Sequence, residues 1–456
     1  MAASDTHRAI EAVFRLESAR LIAGLARIVR DVGVAEELAQ DAFAVALQKW
    51  PESGVPDNPG AWLMATAKRR AIDRLRQRTL HGRKHEELAR ALRAERSAAT
   101  PPPEAAIDDD FGDDLLRLMF TACHPLLSTE GRVALTLRLL GGLTTAEIAR
   151  AFLVSDATVA QRIVRAKKTL ADARVPFEVP RGSDLATRLS AVLEVVYLVF
   201  NEGHTATEGD DWMRPALCDE ALRLGRILAG LVPQEPEVHG LVALIEIQAS
   251  RVGARTGPTG EPVLLLDQDR ARWDRLLIGR GLAALDRAER LGGLRGPYAL
   301  QAAIAACHAR ARAAADTDWP RIASLYDDLV QLTRSPVVEL NRAVAVGMAF
   351  GAAAGLEVVE ALASEPSLSG YHLLPSVRGD LLARLGRLEE ARAEFERAAA
   401  LTRNARERDL LLARAAACGP SCGSRGDAAR VRPAAGSPKP LRLRIPRRPA
   451  GGSSSE

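Results

Sequence analysis

The sequence predicts an all-α protein, and three observations carry that expectation. Apolar residues recur at spacings of three and four through most of the chain. Aromatic residues are only 4% of the 456 residues, so the cores must be built from Ala, Leu, Val and Ile, of which Ala and Leu have the best helix propensity. Residues 143–170 contain a helix-turn-helix in which the starts of both helices can be read.

The elements follow in order. Ile10, Val13, Phe14, Leu21, Leu25 and Ile28 mark a helix over about 7–30. A second helix runs from about Val34 to Lys49, and Pro51, Gly54, Pro56 and Pro59 then enforce a loop. Pro59, a favoured first-turn residue, opens a third helix that reaches about Arg78. The pattern weakens from His81, and Pro101, Pro102 and Pro103 break any helix. The acidic run from Glu104 to Asp114 reads as a solvated linker.

A compact helical unit over about 113–175 holds the helix-turn-helix. Thr144 and Glu147 have the spacing of a capping box. Ser155 caps the second helix, and Asp156 sits at its positive end. On that helix Val159, Ile163, Ala166 and Leu170 form an apolar stripe. The opposite face carries Thr158, Gln161, Arg162, Arg165 and Lys168, amides and cations suited to the major groove of DNA. The turn reads Phe152-Leu153-Val154, where such turns often carry Gly.

After a break at 176–183, Ala-, Leu- and Arg-rich helices continue to about 417. Leu385-Gly386 followed by Ala391, Phe395 and Ala398 has the pattern of a tetratricopeptide unit, and 340–361 resembles a degenerate copy about one period earlier. Residues 419–456 are rich in Gly, Pro, Ser and Arg, and a disordered tail is expected.

The formal net charge is only +4, but Lys and Arg concentrate over 68–96 and in the tail. A local basic patch says more about nucleic acid than the total does. No stretch of eighteen apolar residues exists, and the first residues do not read as a signal peptide. The five cysteines are mostly scattered, which fits free thiols in a reducing, cytoplasmic setting. Cys418 and Cys422 are close but have no His nearby, so no metal site is expected.

Residues 34–78 combine an acidic and amide face (Glu36, Glu37, Gln40, Asp41) with Asn58-Pro59-Gly60-Ala61-Trp62-Leu63 and with Lys68-Arg69-Arg70-Ala71-Ile72-Asp73-Arg74-Leu75-Arg76. Trp and Asn beside a row of cations suit single-stranded DNA with an unstacked base. Asp-Ala-Phe, then Asn-Pro-x-Ala-Trp-Leu, then Ala-Ile-Asp-x-Leu-Arg, with a helix-turn-helix behind them, resemble bacterial RNA polymerase sigma factors of the extracytoplasmic-function (ECF) group. The resemblance covers residues 7–175 and implies a non-enzymatic initiation factor. Its domains would be sigma region 2 at 7–80, a linker at 81–112 and region 4 at 113–175.

By the same resemblance, Glu37, Gln40, Asp41 and Phe43 would dock on core polymerase, whose β′ clamp and β flap are the expected partners. The loop from Trp50 to Asn58 would capture a flipped base. Asn58, Trp62, Lys68, Arg69, Asp73 and Arg76 would open and hold the −10 element of promoter DNA. Ser155, Thr158, Gln161, Arg162, Arg165 and Lys168 would read the −35 element. Arg69 stands where the family often has Asn.

A minimal member of the group would stop near residue 175. The extension over 184–418 resembles a subgroup with a long helical, tetratricopeptide-like C-terminal region that regulates the sigma factor within the same chain. Asn201, Glu202, His204, Asp267, Asp269 and Arg270 in it read either as a polar pocket or, the favoured alternative, as interhelix contacts. His124 reads as a capping or packing residue, and Trp212, Trp273 and Trp319 as packing anchors. No cofactor, small-molecule substrate or membrane is called for. The competing expectation is a stand-alone helix-turn-helix regulator with a helical-repeat sensor.

Overall fold

The computed structural model describes residues 3–72, 74, 111–205, 213–258 and 261–418, and among these the regular elements are all helical. The fold class is therefore the one the sequence predicts. The linker from 75 to 110, the tail from 419, Asp73, Arg76, Trp212 and Cys422 lie outside the described residues. The chain divides into two units, Met1–Val195 and Val196–Glu456.

In the first unit α1 (Ala3–Val29) packs along α2 (Val32–Ser53). Asp31 caps α2, its carboxylate accepting from the N–H groups of Gly33 (2.8 Å) and Val34 (3.0 Å). The helix runs four residues past the expected end, through Pro51. Pro in a last turn costs only one donor. Gly54, at φ +80°, then closes the helix by donating to Trp50 O at 3.0 Å. Asn58 caps α3 (residues 59–72), its side chain accepting from Ala61 N at 3.0 Å.

The rest of this unit is α4 (Phe111–Ala122), α5 (Thr129–Leu139), α6 (Thr145–Phe152), α7 (Asp156–Asp172) and the first part of α8 (Ser183–His204). α6 opens with the full reciprocal capping box of Thr144 and Glu147. The Thr144 N–H donates to the Glu147 carboxylate and holds its pKa below the usual value. The turn is made by Leu153 itself in the left-handed region, at φ +50° and ψ 43°. Val154 N–H then closes onto Ala149 O at 3.1 Å, the bonding a glycine C-cap would give. Ser155 caps α7 by accepting from Thr158 N at 3.2 Å. The first part of α8 is tied to the same unit by Arg188 donating to Phe120 O (2.9 Å) and by Arg132 with Glu194 (3.0 Å).

In the second unit, after the end of α8, α10 (Pro236–Ala249) is apolar on nearly every face. It is accordingly enclosed, by α9 (Pro215–Leu231), α11 (Arg275–Gly292) and α12 (Pro297–Arg310). Gly240 permits the closest approach, since a Cβ there would stand 2.7 Å from Ala299 N. Glu237 of α10 caps α12, accepting from Tyr298 N (2.9 Å) and Ala299 N (3.1 Å). Then α13 (Trp319–Thr333), α14 (Pro336–Ala349), α15 (Ala352–Ala361), α16 (Leu373–Arg384), α17 (Leu388–Leu401) and α18 (Ala405–Ala417) each pack on the next. Leu340, Leu356, Val359, Leu381, Phe395 and Leu411 form the shared core of α14 to α18.

Two substitutions test the turn that aims α7. Leu153→Gly relieves left-handed strain and should raise the stability of the first unit by about 0.5–1 kcal/mol. Thr144→Ala should lower it by about 1 kcal/mol. Chemical denaturation followed by circular dichroism measures both.

Candidate nucleic-acid interface

α7 presents the face that the sequence assigns to duplex DNA. Its apolar stripe, Val159, Ile163, Ala166 and Leu170, is buried. On the opposite side Gln161, Arg165 and Lys168 are exposed, and Thr158 and Arg162 are half-buried. Among the described residues Arg162, Arg165 and Lys168 make no ion pair. Three cations on one face of one helix thus have no ion-pair partner among the described residues. Ser155 is spent on its cap and also meets the Thr158 hydroxyl at 2.9 Å.

The helix α2 offers Glu37, Gln40 and Asp41 to solvent, whereas Phe43 does not join them. Phe43 is 5% exposed and packs edge-on against Phe14, ring centroids 4.9 Å apart. Its position falls in the apolar phase of α2 with Ala39, Ala42 and Ala46, so its ring enters the core. Phe43 thus lies beneath the face that Glu37, Gln40 and Asp41 present. Glu37 and Asp41 meet two residues that the sequence reading did not single out. Arg74 lies 2.9 Å from Glu37, and Arg70 lies 3.2 Å from Asp41. The matching i, i+4 spacings on two neighbouring helices were the available signal.

Trp50, only 1% exposed, forms the floor of the proline-bounded loop, and half-buried Trp62 stacks edge-on against it at 5.3 Å. Asn58 is exposed and caps α3. Lys68 is half-buried, and burial together with the neighbouring Arg27 lowers its pKa. Arg69 is exposed. The arrangement sets half-buried Trp62, backed by buried Trp50, on the helix that carries Lys68 and Arg69.

Glu36 is the residue that sequence reasoning undervalued. It is 4% exposed, yet it lies on the helix that carries the acidic face. Its carboxylate accepts from Arg138 Nε of α5 at 2.7 Å and pairs with Lys167 of α7. It also accepts from Gln40 Nε2 at 2.8 Å. One buried carboxylate therefore joins the helix-turn-helix module to α2 and orients Gln40. A second bridge, Arg27 to buried Asp114 at 3.2 Å, ties α1 to α4. Gly142, at φ +64°, brings the loop before α6 against Ser18 and Phe14 of α1.

The polar residues singled out in the extension mostly have structural work. Glu202 pairs with Arg214. Asp269 caps a single-turn helix by accepting from Ala271 N at 2.9 Å, and Asp267 is exposed. His124 accepts from Leu126 N at 3.2 Å and is held neutral by burial and Arg188, its pKa pushed down to about 4. Cys418 is a free thiol, and among the described residues no group of side chains could hold a metal ion. Among them also, no helix is long and apolar enough to cross a membrane.

Comparison with known proteins agrees with this geometry. Residues 14–80 match the model of Sigma-70 region 2, residues 117–170 that of Sigma-70 region 4, and residues 188–289 a family of unknown function (DUF6596). An uncharacterized protein of Rhizobium meliloti (strain 1021) is 45% identical over 397 residues, 84% of this chain and 89% of the relative. The ECF RNA polymerase sigma factor SigK of Mycolicibacterium vanbaalenii is 31% identical over 162 residues, 34% of this chain and 76% of that protein. A probable ECF RNA polymerase sigma factor, SigI of Mycobacterium tuberculosis, is 26% identical over 183 residues, 40% of this chain and 61% of that protein. No solved structure matches the chain. With both sigma modules matched in order and a curated ECF relative covered over three quarters of its length, the chain belongs to the ECF sigma factors of bacterial RNA polymerase, as a member with a long helical C-terminal extension.

Proposed function

We propose that this sigma factor directs promoter-specific initiation by dividing the reading of DNA between two surfaces. Residues 50–76 open and hold the −10 element, and residues 155–168 read the −35 element. The observation that carries this reading is the pair of cationic faces on α3 and α7, each backed by a buried apolar stripe. Glu37, Gln40 and Asp41 form the face that docks on the β′ clamp of core polymerase. Arg70 and Arg74 hold its carboxylates in place, although exposed pairs of this kind contribute at most about 1 kcal/mol each. The helix-turn-helix module faces the β flap. The chain supplies no catalysis of its own; it binds, positions and separates strands.

The domain limits follow as part of this reading: region 2 over 7–80, a linker over 81–112, region 4 over 113–175 and the extension over 184–418. The extension, with its consecutive helical hairpins and tetratricopeptide-like end, regulates the two sigma modules from within the chain. Such a factor works in the cytoplasm.

Separation of the modules is required by size. The −10 and −35 elements lie about 25 base pairs apart, or roughly 85 Å at about 3.4 Å per pair. A compact unit of 195 residues has a radius of gyration of about 16 Å and is roughly 40 Å across. It cannot touch both elements at once. The Glu36 cluster and the Arg27–Asp114 bridge therefore open when the promoter is bound.

Run-off transcription with core polymerase tests the reading. Full-length chain should give promoter-dependent transcripts, and a chain that gives none and does not bind core contradicts it. Glu37→Gln with Asp41→Asn should weaken core binding by tenfold or more without changing affinity for duplex −35 DNA. Arg165→Ala should do the reverse, costing about 1–3 kcal/mol if it meets a base edge, or reducing the salt slope by about one if it meets a phosphate. A stand-alone regulator would bind its operator without polymerase and ignore the Glu37 and Asp41 changes. Glu36→Gln should lower the stability of the closed first unit by about 2–3 kcal/mol. That is less than the roughly 3–5 kcal/mol of a fully buried pair, because Arg138 and Lys167 keep some water. Differential scanning calorimetry measures it.

A further inference from the structure

Two buried arginines of the extension, Arg251 and Arg270, form no ion pair with a carboxylate among the described residues. Arg251, Arg255 and Arg270 are all buried, at 7%, 5% and 7% exposure. Arg251 ends the turn after α10, and Arg270 opens the short helical turn before Trp273. Their guanidinium groups share the Trp273 ring, with centroid distances of 5.7 Å for Arg251 and 5.0 Å for Arg270. Among the described residues neither forms an ion pair with a carboxylate. Arg251 donates to Gln248 Oε1, and Arg270 donates to His308 O (2.6 Å), Ala311 O (2.7 Å) and Thr317 Oγ1 (3.1 Å). Asp316 acts on Arg270 electrostatically without pairing with it. Arg255, alongside, is engaged with His204 O, Thr205 Oγ1 and Met213 Sδ.

The same place holds unused donors. Trp273 Nε1 and Arg270 Nε lack a hydrogen-bond partner among the described residues, and buried His308, neutral, has one unbonded N–H and one unbonded acceptor nitrogen. Among the described residues Gln268 Oε1 and Glu246 Oε2 are buried oxygens of the extension without a hydrogen-bond partner. The local field agrees with the inventory. Burial, then Arg251 and Arg270, push the His308 pKa down to about 3. Burial and the adjacent Arg270 lower Arg251 to about 10.

Buried charge is costly unless it is paired, and buried donors are costly unless they are bonded. Two buried guanidinium groups without a paired carboxylate among the described residues, beside unbonded N–H groups of Trp273, Arg270 and His308, suit an acceptor-rich anion. Guanidinium groups with planar, forked donors suit carboxylate or phosphate in particular. We propose that the Arg251–Arg270–Trp273–His308 cluster is a binding site for a small molecule carrying a phosphate or carboxylate group. The bound anion supplies the missing counter-charge and accepts from the indole and imidazole N–H groups. The site would make the extension a ligand-binding module. It stands independently of how the sigma modules read a promoter.

The test uses the full-length chain, with inorganic phosphate and citrate as probes and chloride at equal ionic strength as the reference. Melting temperature and tryptophan fluorescence are read together. Phosphate, citrate or both should raise the melting temperature progressively with the logarithm of concentration above Kd, as ligand linkage requires. Response to one probe alone identifies which oxyanion the site takes. Arg251→Met should weaken that response at least tenfold, and His308→Gln should weaken it less. No shift beyond chloride with either probe overturns the proposal, as does an equal shift in wild type and Arg251→Met. Asp210 and Asp211, outside the described residues, are the internal rivals for the counter-charge. If Asp210→Asn with Asp211→Asn lowers the melting temperature equally with and without the probes, and Arg251→Met cancels that loss, the chain neutralises itself and the proposal fails.

Discussion

The first unit depends on one buried carboxylate. Glu36 sits in the apolar phase of α2, where an unpaired charge would be prohibitive. Arg138 and Lys167 of the helix-turn-helix module make its burial tolerable, and Gln40 completes its shell. A carboxylate of this kind adds little net stability against an apolar substitute, but breaking it on one side is expensive. It therefore works as a latch. Lys167 is one position from Lys168, which lies on the face proposed for DNA, and Gln40 lies on the face proposed for polymerase. A change at either functional surface is felt at the same atom group.

The latch also gives the two modules a shared energetic state. Polymerase docking that moves Gln40 weakens one of the bonds to Glu36. Promoter binding that pulls α7 away removes Lys167. Each event lowers the cost of the other, because the second pays less to open a cluster already loosened. The proposed coupling needs no long pathway; buried Glu36 bonds Gln40 of one proposed surface and Lys167 beside the other.

Much of this was legible in the sequence because it rests on short-range rules. Capping at Thr144, Glu147 and Ser155, the stripe from Val159 to Leu170 and the proline-led helices depend on neighbours within one turn. Leu153 was visible as a departure from the usual glycine, and the left-handed backbone it adopts is what the turn required. Phe43 was grouped with Glu37, Gln40 and Asp41 by motif, while its phase on α2 already put its ring with Ala39, Ala42 and Ala46. The pairs Glu37–Arg74 and Asp41–Arg70 and the Glu36 cluster join residues about 30 to 130 positions apart. Long-range pairing of that kind leaves no local periodicity to read. Arg270 was singled out in the sequence as a possible pocket residue, but Arg251, in the turn after α10, was not, and only the fold shows that the two share the Trp273 ring without a paired carboxylate among the described residues.

The central claim is that one closed unit opens to read two separated promoter elements. Fluorescence energy transfer between dyes at positions 52 and 172, both exposed in the structure, measures it directly. The account predicts high transfer in the free chain. On adding core polymerase and a cognate promoter, transfer should fall to that of a separation beyond about 60 Å, in keeping with the roughly 85 Å between elements. Unchanged high transfer in a complex that is actively transcribing would contradict it.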